Sequence, residues 1–514
     1  MNRLRKLVQV AAALVMVGAA AACSAGSSTV AADGELVVGS LLGPGSLDPT
    51  QATGGSIDQF FLAMVYDRLL ETHPESTDVV AGLATEWGYS DDKKSFDITL
   101  REGVEFSDGT PVDAEAVKLN LERNFAQTKL GQITSVTSVD VLSPTELRLT
   151  MGHESAWLPQ QLAGFSGFMV SPQAFAATDD VSGDPVGSGP YRITSNVPGS
   201  EIVFEKNPDY WNDERGFYDT IRVKYFKTAV SMNQALQSGS IKVAARTALT
   251  DVASLKKDEG IEVEVAPSLA IFHVQFNTVR PALKDPRVRQ AFNFALDRAA
   301  LADAATAGIG EPVNGLFPSE YAYSMPATQP MFPYDPDRAR ALLADAGETN
   351  PEIDCVTYAG SGYEQAAPYI IEQLEAVGFT VNLKVTELSE ATGSFYNGDD
   401  TAKAAEAPDC FFTTFPGLLT PRDSLNAEYG MSVYNNGHAE YVDPALLAEL
   451  ETTYDEAGRK ALVEQIELAH AENPGMANMY TKPKAFSHDP SVQAGVPNLL
   501  EFDIDMASLR PAKD

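Results

Sequence analysis

Short strands and capped helices alternate along almost the whole chain, and this order limits the fold more than any other feature. Ser95-Phe96-Asp97-Ile98-Thr99-Leu100 alternates apolar and polar residues with a period of two, as a half-buried strand does. Asp285-Pro286 combines a favoured N-cap with the residue best suited to the first helical position, and Val288, Ala291 and Ala295 follow at helical spacing. No internal repeat interrupts the order. The sequence therefore predicts a mixed α/β (α+β) fold with several lobes.

The chain is acidic. It has 514 residues, with 37 Lys and Arg against 71 Asp and Glu, which gives a formal net charge of −34. This excess argues against a nucleic-acid partner and against adsorption to anionic lipid, because both need a basic face. The hydrophobic content of 44% is that of an ordinary globular protein, so a wholly disordered chain is excluded.

The first residues predict export. Arg3, Arg5 and Lys6 precede an apolar run that ends at Ala20-Ala21-Ala22-Cys23, and the run is short for a membrane span. Small residues directly before a cysteine resemble the lipobox of bacterial lipoproteins. That resemblance implies a signal peptide over 1–22, acylation of Cys23 and a tether over 23–33 that holds an extracytoplasmic protein at the cell membrane. The alternative is a plain secretory signal with a chance cysteine.

Cys355 and Cys410 are the remaining cysteines, and each lies in a strand-like run. In an exported protein, two such cysteines form either a disulfide between neighbouring strands or two buried thiols. A catalytic role is not favoured, because no His or base pattern accompanies either residue.

Several stretches resemble one known family. Leu83-Ala84-Thr85-Glu86-Trp87, Ser90-Asp91-Asp92 and the run from Leu100-Arg101 to Asp108-Gly109-Thr110-Pro111 follow its pattern almost position by position. Further matches are Leu47-Asp48-Pro49, Gly187-Ser188-Gly189-Pro190-Tyr191, Asn207-Pro208-Asp209-Tyr210-Trp211, Phe276-Asn277-Thr278 and Asp285 to Ala291. The sequence resembles the bacterial extracellular solute-binding proteins of family 5, which serve peptide and nickel ABC importers.

The resemblance implies a two-lobed fold of the type II periplasmic-binding-protein kind, with an extra domain and a ligand cleft between the lobes. Domain I would comprise 34–75, 187–266 and 491–514, domain II 76–186 and domain III 267–490. The chain would cross between lobes near Pro267-Ser268 and near Asp489-Pro490. The implied function is capture of a peptide or amphipathic small molecule by a monomer that delivers it to ABC permease subunits, with no cofactor and no catalysis.

Candidate ligand-binding residues lie mainly in loops after predicted strands. Many peptide-binding members hold the ligand's amino group with an Asp, but the matching stretch here, from Asp409 to Leu419, offers hydroxyls and aromatic rings instead. The alternative for each candidate is an ordinary loop with buried aromatic residues. The candidates are Gly45, Ser46, Phe165, Ser166, Phe168, Phe276, Tyr358, Tyr363, Thr413, Thr414 and Phe415.

Other functions remain open at this stage. The six histidines are scattered without ligand spacing, so no metal site is predicted, yet a metal chelate or a haem-like ligand needs few protein ligands. A secreted hydrolase is less favoured, because Gly-x-Ser-x-Gly and His-Glu-x-x-His are absent from the sequence. A sensor or chaperone cannot be separated from a transport protein by sequence.

Overall fold

The computed structural model describes residues 34–513 except 53–55, 129–131, 314, 322–323, 325–328, 360–362, 416, 430–433, 437–439, 496–498 and 500–503. The predicted signal peptide, Cys23 and the tether lie outside the described residues. Within the described ranges, no helix is both long enough and apolar enough to cross a membrane.

The strands are distributed along the whole described chain. In chain order they are β1 (Glu35–Ser40), β2 (Leu70–Thr72), β3 (Val79–Ala81), β4 (Ala84–Tyr89), β5 (Ser95–Leu100), β6 (Val136–Ser143), β7 (Glu146–Met151), β8 (Tyr191–Val197), β9 (Glu201–Lys206), β10 (Thr220–Tyr225), β11 (Val243–Ala244), β12 (Glu262–Ala266), β13 (Ile271–Phe276), β14 (Glu352–Tyr358), β15 (Thr380–Thr386), β16 (Cys410–Phe415), β17 (Met476–Thr481), β18 (Lys484–His488), β19 (Val492–Gln493) and β20 (Arg510–Pro511).

Helices occupy much of the chain between these strands. They are α1 (Ser56–Val65), α2 (Ala114–Gln127), α3 (Leu158–Leu162), α4 (Pro172–Ala177), α5 (Ala229–Gln237), α6 (Leu249–Leu255), α7 (Pro286–Phe294), α8 (Arg298–Thr306), α9 (Pro336–Ala346), α10 (Tyr363–Glu375), α11 (Leu388–Phe395), α12 (Thr401–Glu406), α13 (Pro421–Tyr429), α14 (Pro444–Thr452) and α15 (Glu456–Glu472). Asp285 caps α7 as predicted, since its side chain accepts a hydrogen bond from the Arg287 N–H.

A seven-stranded sheet forms the base of the first lobe, in the order β12-β18-β11-β1-β10-β9-β8. β1 runs parallel to β10 and β11, whereas β18 runs antiparallel to β11 and β12. Its core is apolar and includes Leu36, Phe61, Phe204 and Ile221. We call residues 34–266 and 484–513 lobe one.

A four-stranded antiparallel sheet, β4-β5-β7-β6, also belongs to lobe one, and α2 packs on it. A buried ion pair ties it to the first sheet: Arg123 of α2 donates to Asp48 over 2.5 Å, and both side chains are almost fully buried. Asp48 also accepts hydrogen bonds from the N–H groups of Thr50 and Val181. The Leu47-Asp48-Pro49 motif is therefore structural.

Lobe two, residues 271–481, is built on a five-stranded sheet in the order β15-β14-β16-β13-β17. Cys355 of β14 and Cys410 of β16 are directly opposite each other and form a disulfide. From the sequence alone, a disulfide and two buried thiols were both possible for this pair of cysteines. The bond lies among buried apolar residues that include Val274, Phe276 and Phe412.

The chain crosses between the lobes in two adjacent segments, 267–270 and 482–483, which we call the crossing segments. β12 pairs with β18 on one side of them, and β13 pairs with β17 on the other. Pro267 and Pro483 lie in these segments, and proline cannot donate an N–H to a ladder. The pairing therefore breaks where the lobes meet.

The return crossing lies before β18 rather than near Asp489-Pro490, so β18 belongs to the sheet of lobe one. The range 267–490 predicted for domain III thus contains one strand of the other lobe. The division into three domains stays a prediction. The predicted mixed α/β, two-lobed fold is confirmed.

Candidate functional site

The carboxyl ends of the parallel strands in both lobes point toward the crossing segments. In lobe one, β11 runs antiparallel to β18, whose first residue, Lys484, directly follows a crossing segment, and β1 and β10 run with β11. In lobe two, Phe415 at the end of β16 pairs with Ile271 at the start of β13, and β14 and β15 run with β16. Ligands of open α/β sheets bind outside such strand ends. The loops after these strands therefore line a cleft between the lobes.

Several of the candidate ligand-binding residues lie at these cleft-facing strand ends, which we call the edge. Gly45 and Ser46 are in the loop after β1, where the Gly45 N–H donates to the Asp58 carboxylate over 2.7 Å and the Ser46 and Ser182 hydroxyls are 3.0 Å apart. Tyr358 ends β14, and Tyr363 begins α10. Thr413, Thr414 and Phe415 end β16.

Other predicted residues lie elsewhere. Phe276 is at the far end of β13 and packs edge-on against Phe292 in the core of lobe two, because β13 runs away from the crossing segment. Phe165, Ser166 and Phe168 are buried at a short 3₁₀ helix in lobe one. The rings of Phe165 and Phe168 join the lobe-one core, so these four positions offer a ligand almost no exposed surface.

Two basic residues, Arg246 and Lys482, lie at the edge, close to the crossing segments. Arg246 follows β11 in lobe one, and Lys482 lies in a crossing segment directly after β17. The Lys482 Nζ atom is 3.5 Å from the Tyr363 hydroxyl and 5.1 Å from the centroid of the Tyr363 ring. The Tyr358 and Tyr363 ring centroids are 5.3 Å apart. We call Arg246, Lys482, Tyr358 and Tyr363 the cationic cluster.

Electrostatics set the charge state of this cluster. Burial, and then the positive charge of Arg246, lowers the pKa of Lys482 from 10.5 to about 8. Burial raises the pKa of Tyr363, and its hydrogen bond with Tyr358 acts in the same direction. Tyr363 therefore stays neutral at pH 7, while Lys482 remains mostly protonated.

A small cavity opens on the other face of the same strands. Its walls are mainly apolar, and they include Leu269, Ile271, His273, Phe317, Tyr321, Phe415, Leu425 and Met476. Burial lowers the pKa of His273 from 6.5 to about 3, so the imidazole is neutral. Its Nε2 atom is buried and has no hydrogen-bond partner among the described residues. Its lining therefore offers apolar contacts and one buried imidazole nitrogen.

The lobes contact each other beside this cavity. The Trp157 indole N–H of lobe one donates to the Leu450 carbonyl of lobe two over 3.0 Å. The Arg459 guanidinium stacks on the Trp157 ring at 4.0 Å and donates to the Ala156 carbonyl. Trp157 and Leu269 belong to one buried cluster, so the cavity wall and the interlobe contact are continuous.

One group among the described residues could hold a metal ion: Glu262 and Glu264 of β12 with His488 of β18. The His488 Nε2 atom lies 3.9 Å from Glu262 and 3.8 Å from Glu264. The sequence predicted no metal site here, because His488 is far along the chain from the two glutamates and meets them only through strand pairing. Glu262 pairs with His488 at the end of the sheet away from the cleft.

Other motif residues have structural roles. Asp67 accepts hydrogen bonds from Tyr210 and Trp211, and burial raises its pKa from 3.8 to about 6. These residues line an open pocket within lobe one. Gly189 approaches Val65 so closely that an added Cβ would lie 2.6 Å from the Val65 carbonyl carbon.

Sequence reasoning missed Lys482 and Arg246. Each is a single basic residue without a motif, and 236 positions separate them along the chain. Only the strand topology brings them to one edge. One signal could have indicated Lys482: it stands directly before Pro483, at the end of an apolar strand.

This topology, with two lobes joined by adjacent crossing segments and a cleft at the strand ends, is that of a solute-binding protein. The family model described as "Bacterial extracellular solute-binding proteins, family 5 Middle" matches residues 78–436. The chain belongs to this family. Proteins of the family are extracytoplasmic solute-binding proteins of ABC importers.

Known proteins agree with this assignment. The glutathione-binding protein GsiB of Salmonella paratyphi A is 27% identical over 415 residues, which cover 76% of this chain and 78% of that protein. The ABC transporter substrate-binding protein CtaP of Listeria monocytogenes has a TM-score of 0.82 at 20% identity, covering 93% of this chain and 99% of that one. NikA of Brucella suis, solved with Fe(III)-EDTA, has a TM-score of 0.80 at 23% identity, covering 93% and 100%. The two structures are similar in fold.

Proposed function

We propose that this protein is the substrate-binding lipoprotein of an ABC importer. It captures a peptide or an amphipathic small molecule between its lobes and delivers it unchanged to the permease. The observation that carries the proposal is the convergence of strand ends from both lobes on the crossing segments, with an apolar cavity on one face and a cationic cluster on the other. Relatives that bind glutathione and peptides support the ligand class.

The acidic side chains near β16 do not favour recognition of a peptide amino group. Asp409 precedes β16 at the end away from the cleft, and it is buried against Arg280 at 3.0 Å. Asp423 pairs with Arg422. Because a buried ammonium needs a partner, a ligand that is anchored by its amino terminus fits these residues poorly.

Two classes of ligand compete. An anionic metal chelate fits the cationic cluster, and the similarity of fold to NikA with Fe(III)-EDTA supports testing it. Catalysis is not part of the proposal. Steady hydrolysis of a bound peptide by purified protein would contradict it.

The test is a thermal-shift screen of the mature protein with short peptides, glutathione and Fe(III)-EDTA. A ligand that binds only the folded form raises the melting temperature, and the stabilisation grows with the logarithm of 1 plus the ligand concentration divided by Kd. Native mass spectrometry of protein from its own host would identify a ligand that purifies with it. If no peptide, thiol peptide or chelate shifts the melt and no ligand co-purifies, the proposed function fails.

Membrane attachment is a separate part of the proposal. Acylation of Cys23 would hold the protein at the outer face of the membrane, and the small polar residues 24–33 would form the tether. The Cys23→Ala variant should be released into the soluble fraction. Continued attachment of that variant to washed membranes would contradict the lipid anchor.

A further inference from the structure

The group formed by Glu262, Glu264 and His488 lies at one side of the seven-stranded sheet, in lobe one and away from the cleft. Glu262 and Glu264 are two positions apart on β12, so their side chains leave the same face of this strand. β18 pairs with β12 and places His488 directly opposite Glu262. Because cross-strand partners lie on one face of a sheet, the pairing brings all three side chains together.

The two carboxylates lack a permanent positive partner. Both side chains are about half exposed, and neither forms an ion pair with a Lys or Arg anywhere in the described ranges. Charged side chains on an outermost strand such as β12 often serve only to prevent its pairing with another chain. That explanation accounts for the two glutamates, but it does not account for the buried histidine that faces them.

The imidazole of His488 directs an unpaired nitrogen at these carboxylates. The residue is 1% exposed, and its buried Nε2 atom has no hydrogen-bond partner among the described residues. Nε2 lies 3.9 Å from Glu262 and 3.8 Å from Glu264, which is too far for a hydrogen bond to either oxygen. A buried polar atom without a partner is uncommon in a native protein, and a bound ion is one of the explanations for it.

The other ring nitrogen of His488 fixes the tautomer. Nδ1 lies 3.1 Å from the Asp489 carbonyl oxygen, which can only accept a hydrogen bond, so Nδ1 carries the proton in the neutral ring. Nε2 then presents its lone pair to Glu262 and Glu264. Histidines that bind metal ions characteristically donate their second N–H to a backbone carbonyl or a carboxylate in this way.

The separations between the three residues fit one ion. Zn²⁺ binds an imidazole nitrogen at about 2.0–2.1 Å and a carboxylate oxygen at about 2.0–2.2 Å, so two such atoms on one ion lie at most about 4.3 Å apart. Both distances from Nε2 to the carboxylates are within this limit, and the exposed glutamate side chains can move closer. One nitrogen and two oxygen ligands suit divalent transition metals, whereas Ca²⁺ takes about six to eight oxygen ligands.

We propose that Glu262, Glu264 and His488 bind a divalent transition-metal ion such as Zn²⁺. The ion joins β12, which leads into crossing segment 267–270, to β18, which follows crossing segment 482–483. It stabilises lobe one and does not hold the transported ligand, because the site lies at the end of the sheet away from the cleft. The inference is therefore independent of the proposed function, and either one can fail alone.

The test measures Zn²⁺ binding to the mature protein, purified without a polyhistidine tag and stripped of metal by dialysis against a chelator. An ion that binds only the folded form stabilises it, so we expect a Zn²⁺-dependent rise in melting temperature that excess chelator reverses. Calorimetric titration should show that Ca²⁺ and Mg²⁺ bind at least about tenfold more weakly than Zn²⁺. Absence of Zn²⁺ binding, or equal binding of Ca²⁺ and Zn²⁺, would overturn the inference.

Matched variants locate the ion. Glu262→Gln and Glu264→Gln change only exposed side chains, and each should weaken Zn²⁺ binding by at least about tenfold. Glu259→Gln removes the same charge from an exposed position just before β12 and should bind Zn²⁺ as the wild type does. His488→Gln should also lose binding, and the two glutamate variants decide the question if this buried substitution prevents folding. Equal Zn²⁺ affinity in the control and in both glutamate variants would overturn the inference.

Anomalous diffraction can observe the position of the ion directly. A crystal soaked in Zn²⁺ should show a peak about 2.0–2.1 Å from His488 Nε2. Zinc peaks only at other surface carboxylates, with none between β12 and β18, would overturn the inference. A peptide or chelate that binds in the cleft should bind Glu262→Gln as tightly as the wild type, whereas a loss of that binding would contradict the separation of the two sites.

Discussion

Replacing Glu467 by Gln should stabilise the protein above pH 7 and leave its stability near pH 4 almost unchanged. Glu467 lies on α15, is 3% exposed, and accepts a hydrogen bond from the Leu316 N–H over 3.0 Å. Leu316 lines the apolar cavity. Burial raises the pKa of Glu467 from 4.5 to about 7, more than the Leu316 N–H lowers it.

The sign of the effect follows from proton binding. Below the pKa that Glu467 has in the unfolded chain, this residue is protonated in both the folded and the unfolded state. Folding then buries no charged carboxylate, so the residue does not lower the free energy of unfolding. As the pH rises to about 7, the unfolded chain loses its proton while the folded protein keeps it, so the free energy of unfolding falls. Above pH 7 the loss is complete and amounts to about 3 kcal/mol. Gln keeps the carbonyl acceptor and cannot ionise.

Urea unfolding at pH 4, 5, 7 and 8 measures this difference. Wild-type stability should fall across this range by about 3 kcal/mol more than that of Glu467→Gln. Glu472→Gln, which removes an exposed charge from the same helix, provides the control and should follow the wild type. Parallel pH profiles for the wild type and Glu467→Gln would refute the argument that burial controls this carboxyl group.

Two further predictions concern the scaffold. Asp48→Ala removes the carboxylate that pairs with the buried Arg123 and should lower the free energy of unfolding by about 3–5 kcal/mol. Asp97→Ala breaks the exposed pair with Arg148 and should lower it by less than about 1 kcal/mol. Similar urea midpoints for the two variants would contradict this ranking. Gly417 has φ +75°, and its added Cβ would lie 2.5 Å from a carbonyl oxygen of a crossing segment. Gly417→Ala should therefore cost more than about 1–2 kcal/mol, and an unchanged melting temperature would exclude the strain.

Much of the fold could be predicted because it depends on local signals. The apolar alternation at Ser95–Leu100 and the cap at Asp285 each fix an element through nearby residues. The position at which the chain returns from lobe two to lobe one was harder to predict from the sequence. Lys484–His488 is buried along its whole length, as β17 is, and its membership of the other sheet depends on pairing with strands more than 200 residues earlier.

The candidate site residues show the same difference between local signals and long-range strand pairing. The expectation that ligand residues follow strands selected Tyr358, Tyr363 and Phe415, which lie at the edge because the direction of a parallel strand fixes which end faces the cleft. Their contact with a ligand stays a prediction. Phe276, a candidate that stands in a family motif, lies at the opposite end, since β13 runs antiparallel to β16 and carries this residue into the core. Aromatic content alone cannot separate a pocket from a core, as the burial of Phe168 shows.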